Sequence, residues 1–180
     1  MKPPRVTSSE VVYENRWMRV REDRLERADG SPGLYSVVEK RPAAVILPLH
    51  DDDTVTLVEQ YRHPVGARSW ELPQGALDGV DVSDSEQIAR TELAEETGLR
   101  AADLRHLSRL YFAAGISSQY FDAWLATGLT EGEQALEAEE EGLRVGRFPL
   151  AEVERMAREG EIIDAATVAV LGLLRGVRRV

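Results

Sequence analysis

Cysteine is absent from the 180 residues. That excludes disulfides, thiol nucleophiles, zinc–thiolate centres and iron–sulfur clusters together. Long apolar runs are also missing: no stretch approaches the ~18 residues of a membrane-spanning helix. The opening MKPPRVTSSE has no apolar core of the kind a secretory leader carries. The expectation is a cytoplasmic protein with no membrane partner. Basic residues are few against acidic ones, 22 Lys and Arg to 32 Asp and Glu, for a net charge of −10. A surface of that sign repels a phosphate backbone, so a nucleic-acid polymer is not an expected partner. A small phosphorylated ligand remains open, provided a cation bridges the like charges. Repeats and low-complexity tracts are lacking. What is present, 43% hydrophobic and 30% charged residues, is the composition of a folded globular protein. The length suffices for one domain with its own core and a small additional unit.

Along the chain, the first forty residues read as short strands. Asn15 to Arg24 alternates loosely, Asp29-Gly30-Ser31-Pro32-Gly33 is a turn cluster, and Leu34 to Glu39 resumes a strand. Ala43 to Leu49 is an apolar run of strand length, and Val55 to Tyr61 returns after the turn Asp51-Asp52-Asp53. This aspartate triplet reads as a solvated hairpin tip, because the Gly and distal Glu of a calcium loop are missing. A helix is expected over Ser83 to Thr97, with Ser83 and Glu86 as a capping box and Gly98 as its stop. Leu104 to Tyr111, Gln119 to Ala126 and Leu143 to Phe148 read as strands. Pro149 suits the first turn of a helix ending by Gly160, and Asp164 caps a last helix over Ala165 to Arg175. Strands, a helix, strands and two helices in that order predict an α+β fold rather than a doubly wound parallel sheet.

Chemistry concentrates in Glu71-Leu72-Pro73-Gln74-Gly75 and in the helix carrying Glu92-Leu93-Ala94-Glu95-Glu96-Thr97-Gly98. Glu92 and Glu96 are four apart and share a helix face, with Glu95 three from Glu92. Like charges so placed repel by ~0.2–0.5 kcal/mol per pair. A divalent cation would turn the repulsion into chelation, and hard oxygens on a rigid helix suit Mg²⁺ or Mn²⁺. Without the glycine loop upstream, the same glutamates would read as the wet face of a helix. Trp17 and Trp70 read as core residues. His50, His63 and His106 have no metal-ligand spacing and read as structural.

E-L-P-x-G followed by E-L-x-E-E-T-G-L resembles the signature of the Nudix hydrolases. Val58-Glu59-Gln60-Tyr61-Arg62-His63-Pro64-Val65-Gly66, Trp70 to Pro73, Ala114-Gly115-Ile116-Ser117 and Gly160 to Thr167 are similar to its ADP-ribose and nucleoside-diphosphate-sugar pyrophosphatase branch. The resemblance implies a Nudix-like mixed β-sheet sandwich with packed helices over residues 42–180. An N-terminal antiparallel unit over residues 1–41 would serve as a dimerisation arm, making a homodimer. It implies metal ligation by Glu92, Glu95, Glu96, the Gln74 carbonyl and Glu141. Glu139 is implied as the base, with Glu96 and Glu141 counted in the catalytic set. Arg62 and Glu71 become the substrate residues. The implied reaction is Mg²⁺- or Mn²⁺-dependent cleavage of a nucleoside diphosphate sugar such as ADP-ribose into two monophosphates.

The chain departs from the family pattern at several places. Thr91 stands where an Arg precedes the first helix Glu, and Arg90 lies about 100° away round the helix. Gly75 and Glu92 are 17 positions apart, two more than the pattern. Ser83, flanked by Asp81 and Asp84, falls where the loop acid is expected. Gln119 follows the Gly-x-Ser segment where an acid is common, and Gln74 replaces a small residue. These departures leave a second reading open, a nucleotide-binding module without catalysis on the same fold.

Overall fold

The computed structural model describes residues 2–76, 84–136 and 142–177. The chain divides into two compact units. The first comprises Met1–Pro42 with Tyr111–Tyr120, and the second Ala43–Leu110 with Phe121–Val180.

The first unit is a three-stranded antiparallel sheet in the order β1 (Arg5–Glu14), β2 (Arg19–Glu26), β3 (Pro32–Glu39). Asn15 Oδ1 closes the first turn by accepting from the backbone N–H of Trp17 and Met18, at 2.8 and 2.9 Å. Asp29 Oδ1 closes the second by accepting from Ser31 N–H and Oγ, at 3.0 and 2.7 Å. Every residue of β1 is exposed, so its sequence shows no alternation, and a reading by hydrophobic period begins one strand too late. Trp17, expected in a core, is 55% exposed beneath the Arg16 guanidinium, which lies 4.0 Å from its ring. The Ala114-Gly115-Ile116-Ser117 segment belongs to this unit. Val38 N–H donates to the Ile116 carbonyl at 2.8 Å, and Ser117 Oγ donates to the Val38 carbonyl at 2.8 Å. Gln119 Nε2 donates to the Arg41 carbonyl at 2.8 Å.

Among the described residues the second unit holds two sheets and three α-helices. One sheet runs β7 (Gln74–Gly75), β4 (Ala43–Pro48), β9 (Tyr120–Glu131), β8 (Leu99–Tyr111), and the other runs β10 (Arg144–Pro149), β5 (Thr54–Arg62), β6 (Ala67–Glu71). β4 pairs parallel with β9 and antiparallel with β7. Its six residues are all buried, because both faces are covered. Val45 and Leu47 meet β5, α2 (Leu150–Glu159) and α3 (Ala165–Val177), while Ala44 and Ile46 meet Ile88, Ala89 and Leu93 of α1 (Ser85–Thr97). A strand covered on both sides reads as an unbroken apolar run, as Ala43 to Leu49 does. The expected hairpin across Asp51–Asp53 is therefore not a two-strand ladder. β4 and β5 join different sheets, and the exposed turn between them is closed by the bridge Leu49↔Val55 and by His50 N–H donating to the Thr54 carbonyl at 2.9 Å.

Helix α1 differs at its start from the sequence expectation. Asp84, not Ser83, is the N-cap, and its side chain accepts from Gln87 N–H at 3.0 Å. Ser83 lies outside the described residues. Gly98 ends the helix in the left-handed region, at φ 73°. Trp70 packs on the core, edge-on to Phe148. His50 bonds Thr56 at 2.8 Å and His106 bonds Asp122 at 3.2 Å, as structural roles require. Among the described residues no helix is long and apolar enough to cross a membrane.

Candidate active site

The segment Glu71 to Gly75 is held from three sides. Leu72 N–H donates to Thr167 Oγ1 of α3 at 2.9 Å, and Ile46 N–H of β4 donates to the Pro73 carbonyl at 2.9 Å. Gln74 and Gly75 form the two-residue β7 opposite Val45 and Ala44. α1 packs on the same sheet and brings its glutamates to this segment. Glu96 is 1% exposed, and its Oε2 accepts from Gln74 N–H at 2.9 Å. Glu92 is 6% exposed. Its carboxylate occupies the space that a side chain at position 75 would fill. Gly75 is thus glycine because an acid needs the room, not because the backbone turns.

Burial sorts the three helix acids. Glu92 and Glu96 are buried, and Glu95 is half-buried. Two buried carboxylates on one helix face, with a backbone amide on one of them, form a hard-oxygen donor set of the kind Mg²⁺ or Mn²⁺ takes. Among the described residues no three His, Asp or Glu side chains converge as a ready-made cage. Glu139 and Glu141, expected as base and ligand, lie outside the described residues. The chain before them docks on the end of α1: Ala135 N–H donates to the Glu95 carbonyl at 3.1 Å, and Gln134 Nε2 to the Glu96 carbonyl at 2.6 Å.

The two residues expected to meet substrate meet each other. Arg62 ends β5 and Glu71 ends β6. Arg62 Nη2 lies 2.8 Å from Glu71 Oε1, close enough to pair charges though off the line of a hydrogen bond, and Arg62 Nε donates to Oε2 at 3.2 Å. The Arg62 side chain is 40% exposed and that of Glu71 only 1%. Burial is the main cause that pushes the Glu71 carboxyl up to about 7; Arg62 opposes the rise and the Asp164 charge adds to it.

From the sequence, Asp164 reads only as a helix cap. It is one: Oδ2 accepts from Thr167 N–H and Oγ1, both at 2.7 Å. The same oxygen also accepts from Gln74 Nε2 at 3.3 Å, and Gln74 Nε2 donates to Glu71 Oε2 at 3.2 Å. The available signal was the joint presence of Gln74 and the Ile162 to Thr167 segment. Neither residue type alone points to a contact across 90 positions.

The helix departures also have a structural outcome. Thr91 Oγ1 accepts from Gln87 Nε2 at 3.1 Å. Arg90 pairs with Glu86 at 2.8 Å and donates to the Ala101 carbonyl at 3.0 Å, so it is engaged away from Glu92 and Glu96.

This geometry agrees with what the chain is similar to. The family described as nucleoside diphosphate sugar hydrolase N-terminal domain matches residues 5–38, and the NUDIX domain matches residues 39–169. An ADP-ribose pyrophosphatase of Mycobacterium tuberculosis is 36% identical over 93% of this chain and 80% of its own length. The ADP compounds hydrolase NudE of Escherichia coli is 30% identical over 97% and 93%. A crystal structure of an ADP compounds hydrolase superposes with a TM-score of 0.84 at 28% identity, covering 99% of this chain and 96% of that one. With the glutamate helix seated on its glycine loop and the domain matched over most of its length, the chain belongs to the NUDIX family, an α+β fold preceded by an antiparallel N-terminal sheet.

Proposed function

We propose that this protein is a metal-dependent pyrophosphohydrolase that cleaves ADP-ribose, or a related nucleoside diphosphate sugar, into two monophosphates. The observation that carries the reading is the seating of Glu92 and Glu96. Glu92 occupies the space left by Gly75, and Glu96 accepts from Gln74 N–H at 2.9 Å. The similar ADP-ribose pyrophosphatase and ADP compounds hydrolase support the substrate class.

Glu92, Glu96, Glu95, Glu141 and the Gln74 carbonyl would hold Mg²⁺ or Mn²⁺. When bound, the metal supplies positive charge to the phosphoryl oxygens, which a chain of net charge −10 otherwise repels. Glu139 accepts a proton from the attacking water. The water oxygen bonds to phosphorus, the bridging P–O bond breaks, and the bridging oxygen leaves with the second monophosphate. Arg62 pairs with a phosphate or stacks on a base. The test is monophosphate release from a panel of nucleoside diphosphate sugars, with Mg²⁺, Mn²⁺ or EDTA. Metal-dependent release from ADP-ribose is expected; no turnover on any substrate at high enzyme concentration contradicts the reading.

One observation favours a nucleotide-binding module without turnover. Arg90 and Thr91 are both occupied away from Glu92 and Glu96. Calorimetry with ADP-ribose separates the two, since the module binds nucleotide and releases no product.

The same proposal includes a homodimer formed through residues 1–41. β1 is the edge of its sheet, and Val6, Val11, Val12 and Tyr13 are each about half exposed along it. Light scattering at twice the 20.0 kDa chain mass is expected, and a monomeric mass contradicts it. A cytoplasmic location and the lack of a nucleic-acid partner belong to this reading too, the second on the acidic charge.

A further inference from the structure

We infer that the Gln74 side chain is a positioning residue for substrate, acting through Glu71 on Arg62, separately from any role of its backbone carbonyl. The inference rests on the hydrolase reading and deepens it.

The geometry is a line of four residues. Asp164 Oδ2 and Glu71 Oε2 both accept from the single amide nitrogen of Gln74, at 3.3 and 3.2 Å. Glu71 then holds Arg62 through contacts of 2.8 and 3.2 Å. An amide NH₂ has two protons, and here each serves one carboxylate. A nitrogen, not an oxygen, belongs between two acids. Without that donor, two carboxylates would face each other beside a buried strand end, where unpaired charge is costly. Gln74 and Arg62 therefore converge on Oε2 of the Glu71 carboxylate, with Arg62 Nη2 lying beside Oε1.

The consequence lies at Arg62. Its side chain is 40% exposed, and among the described residues Glu71 is the partner that fixes the direction of the guanidinium. If Glu71 turns, Arg62 loses its aim. A small residue at position 74 could not make this link, which needs the longer amide. Because β7 is bonded to β4 through its backbone, removal of the side chain leaves the Gln74 carbonyl and N–H where they are.

The experiment compares wild type, Gln74→Ala and Gln74→Met. Methionine keeps the length and removes the donor. Steady-state kinetics on ADP-ribose should show KM raised roughly tenfold in both variants, the loss expected for a hydrogen bond to a charged group. The loss should fall on KM more than on kcat, and Mn²⁺ calorimetry reports separately on the backbone carbonyl that both variants retain. A crystal structure of Gln74→Met should show the Arg62 guanidinium parted from Glu71. An unchanged KM in Gln74→Met, or a loss in kcat and Mn²⁺ affinity instead of KM, overturns the inference. Absence of turnover in the wild type defeats the hydrolase reading by itself. The crystal structure then still decides this inference, since an undisturbed Arg62–Glu71 pair in Gln74→Met overturns it.

Discussion

Replacing Gly75 with alanine tests the seating of Glu92. The added methyl would overlap the Glu92 carboxylate, with Oε2, Cδ and Oε1 as its nearest atoms. Carbon contacts settle at ~3.5–4.0 Å, so the carboxylate must retreat by about 1 Å. The backbone at Gly75 is not in the left-handed region, so alanine brings no backbone strain. The clashing group is the far end of a flexible side chain, and it yields by leaving its rotamer at a cost of about 0.5–1.5 kcal/mol. In a chain of this size that lowers Tm by ~2–4 °C per kcal/mol. Function is expected to suffer far more. A 1 Å misplacement of a reacting constellation costs on the order of 100-fold, or about 2.7 kcal/mol of transition-state stabilisation. The expected outcome is a folded protein, a few degrees less stable, with kcat/KM for ADP-ribose down about a hundredfold. Because the effect runs through Glu92, the double variant Gly75→Ala/Glu92→Gln should be no slower than Glu92→Gln alone. Wild-type activity in Gly75→Ala, or additive losses in the double variant, would refute the assigned role of the glycine.

Glu96→Gln keeps an acceptor for Gln74 N–H but removes the charge; kcat/KM should fall by at least about a hundredfold with Tm nearly unchanged, checked by monophosphate release and calorimetric melting. Glu71 makes stability depend on pH. Its carboxyl lies at 4.5 when unfolded and at about 7 when folded. Between those values the folded chain keeps a proton that the unfolded chain releases, so stability falls as pH rises from 4.5 to about 7 and levels off above. The drop is on the order of 3 kcal/mol, and urea titrations across that range should show it in wild type and not in Glu71→Gln. Gly98→Ala places a Cβ 2.9 Å from the Gly132 carbonyl at φ 73°, which should cost about 1–2 kcal/mol and lower Tm accordingly.

Legibility followed burial. β4 could be read because both its faces are covered, which leaves an apolar run. β1 could not, because nothing in its sequence distinguishes two exposed faces from a loop. The Glu92, Glu95 and Glu96 cluster was legible because helix periodicity fixes which acids share a face. Which of them would be buried was not, since Glu95 differs from its neighbours only in what packs against it. The pairing of Arg62 with Glu71 was out of reach for another reason. Each reads singly as a substrate residue, and the β5–β6 register puts Val58 opposite Glu71 and Arg62 opposite Ala67, so the two meet only through the reach of the long Arg62 side chain, which no strand pattern announces. The cap at Asp84 instead of Ser83 is a displacement of one residue, within the ordinary latitude of helix ends.

The proposed hydrolysis requires Glu92 and Glu96 to hold a divalent cation. Anomalous diffraction at the manganese edge, from a crystal soaked in Mn²⁺ with a non-hydrolysable ADP-ribose analogue, addresses this directly. A manganese peak bonded to carboxylate oxygens of Glu92 and Glu96 and next to the diphosphate is the predicted result. A bound analogue with no manganese at those carboxylates would contradict it.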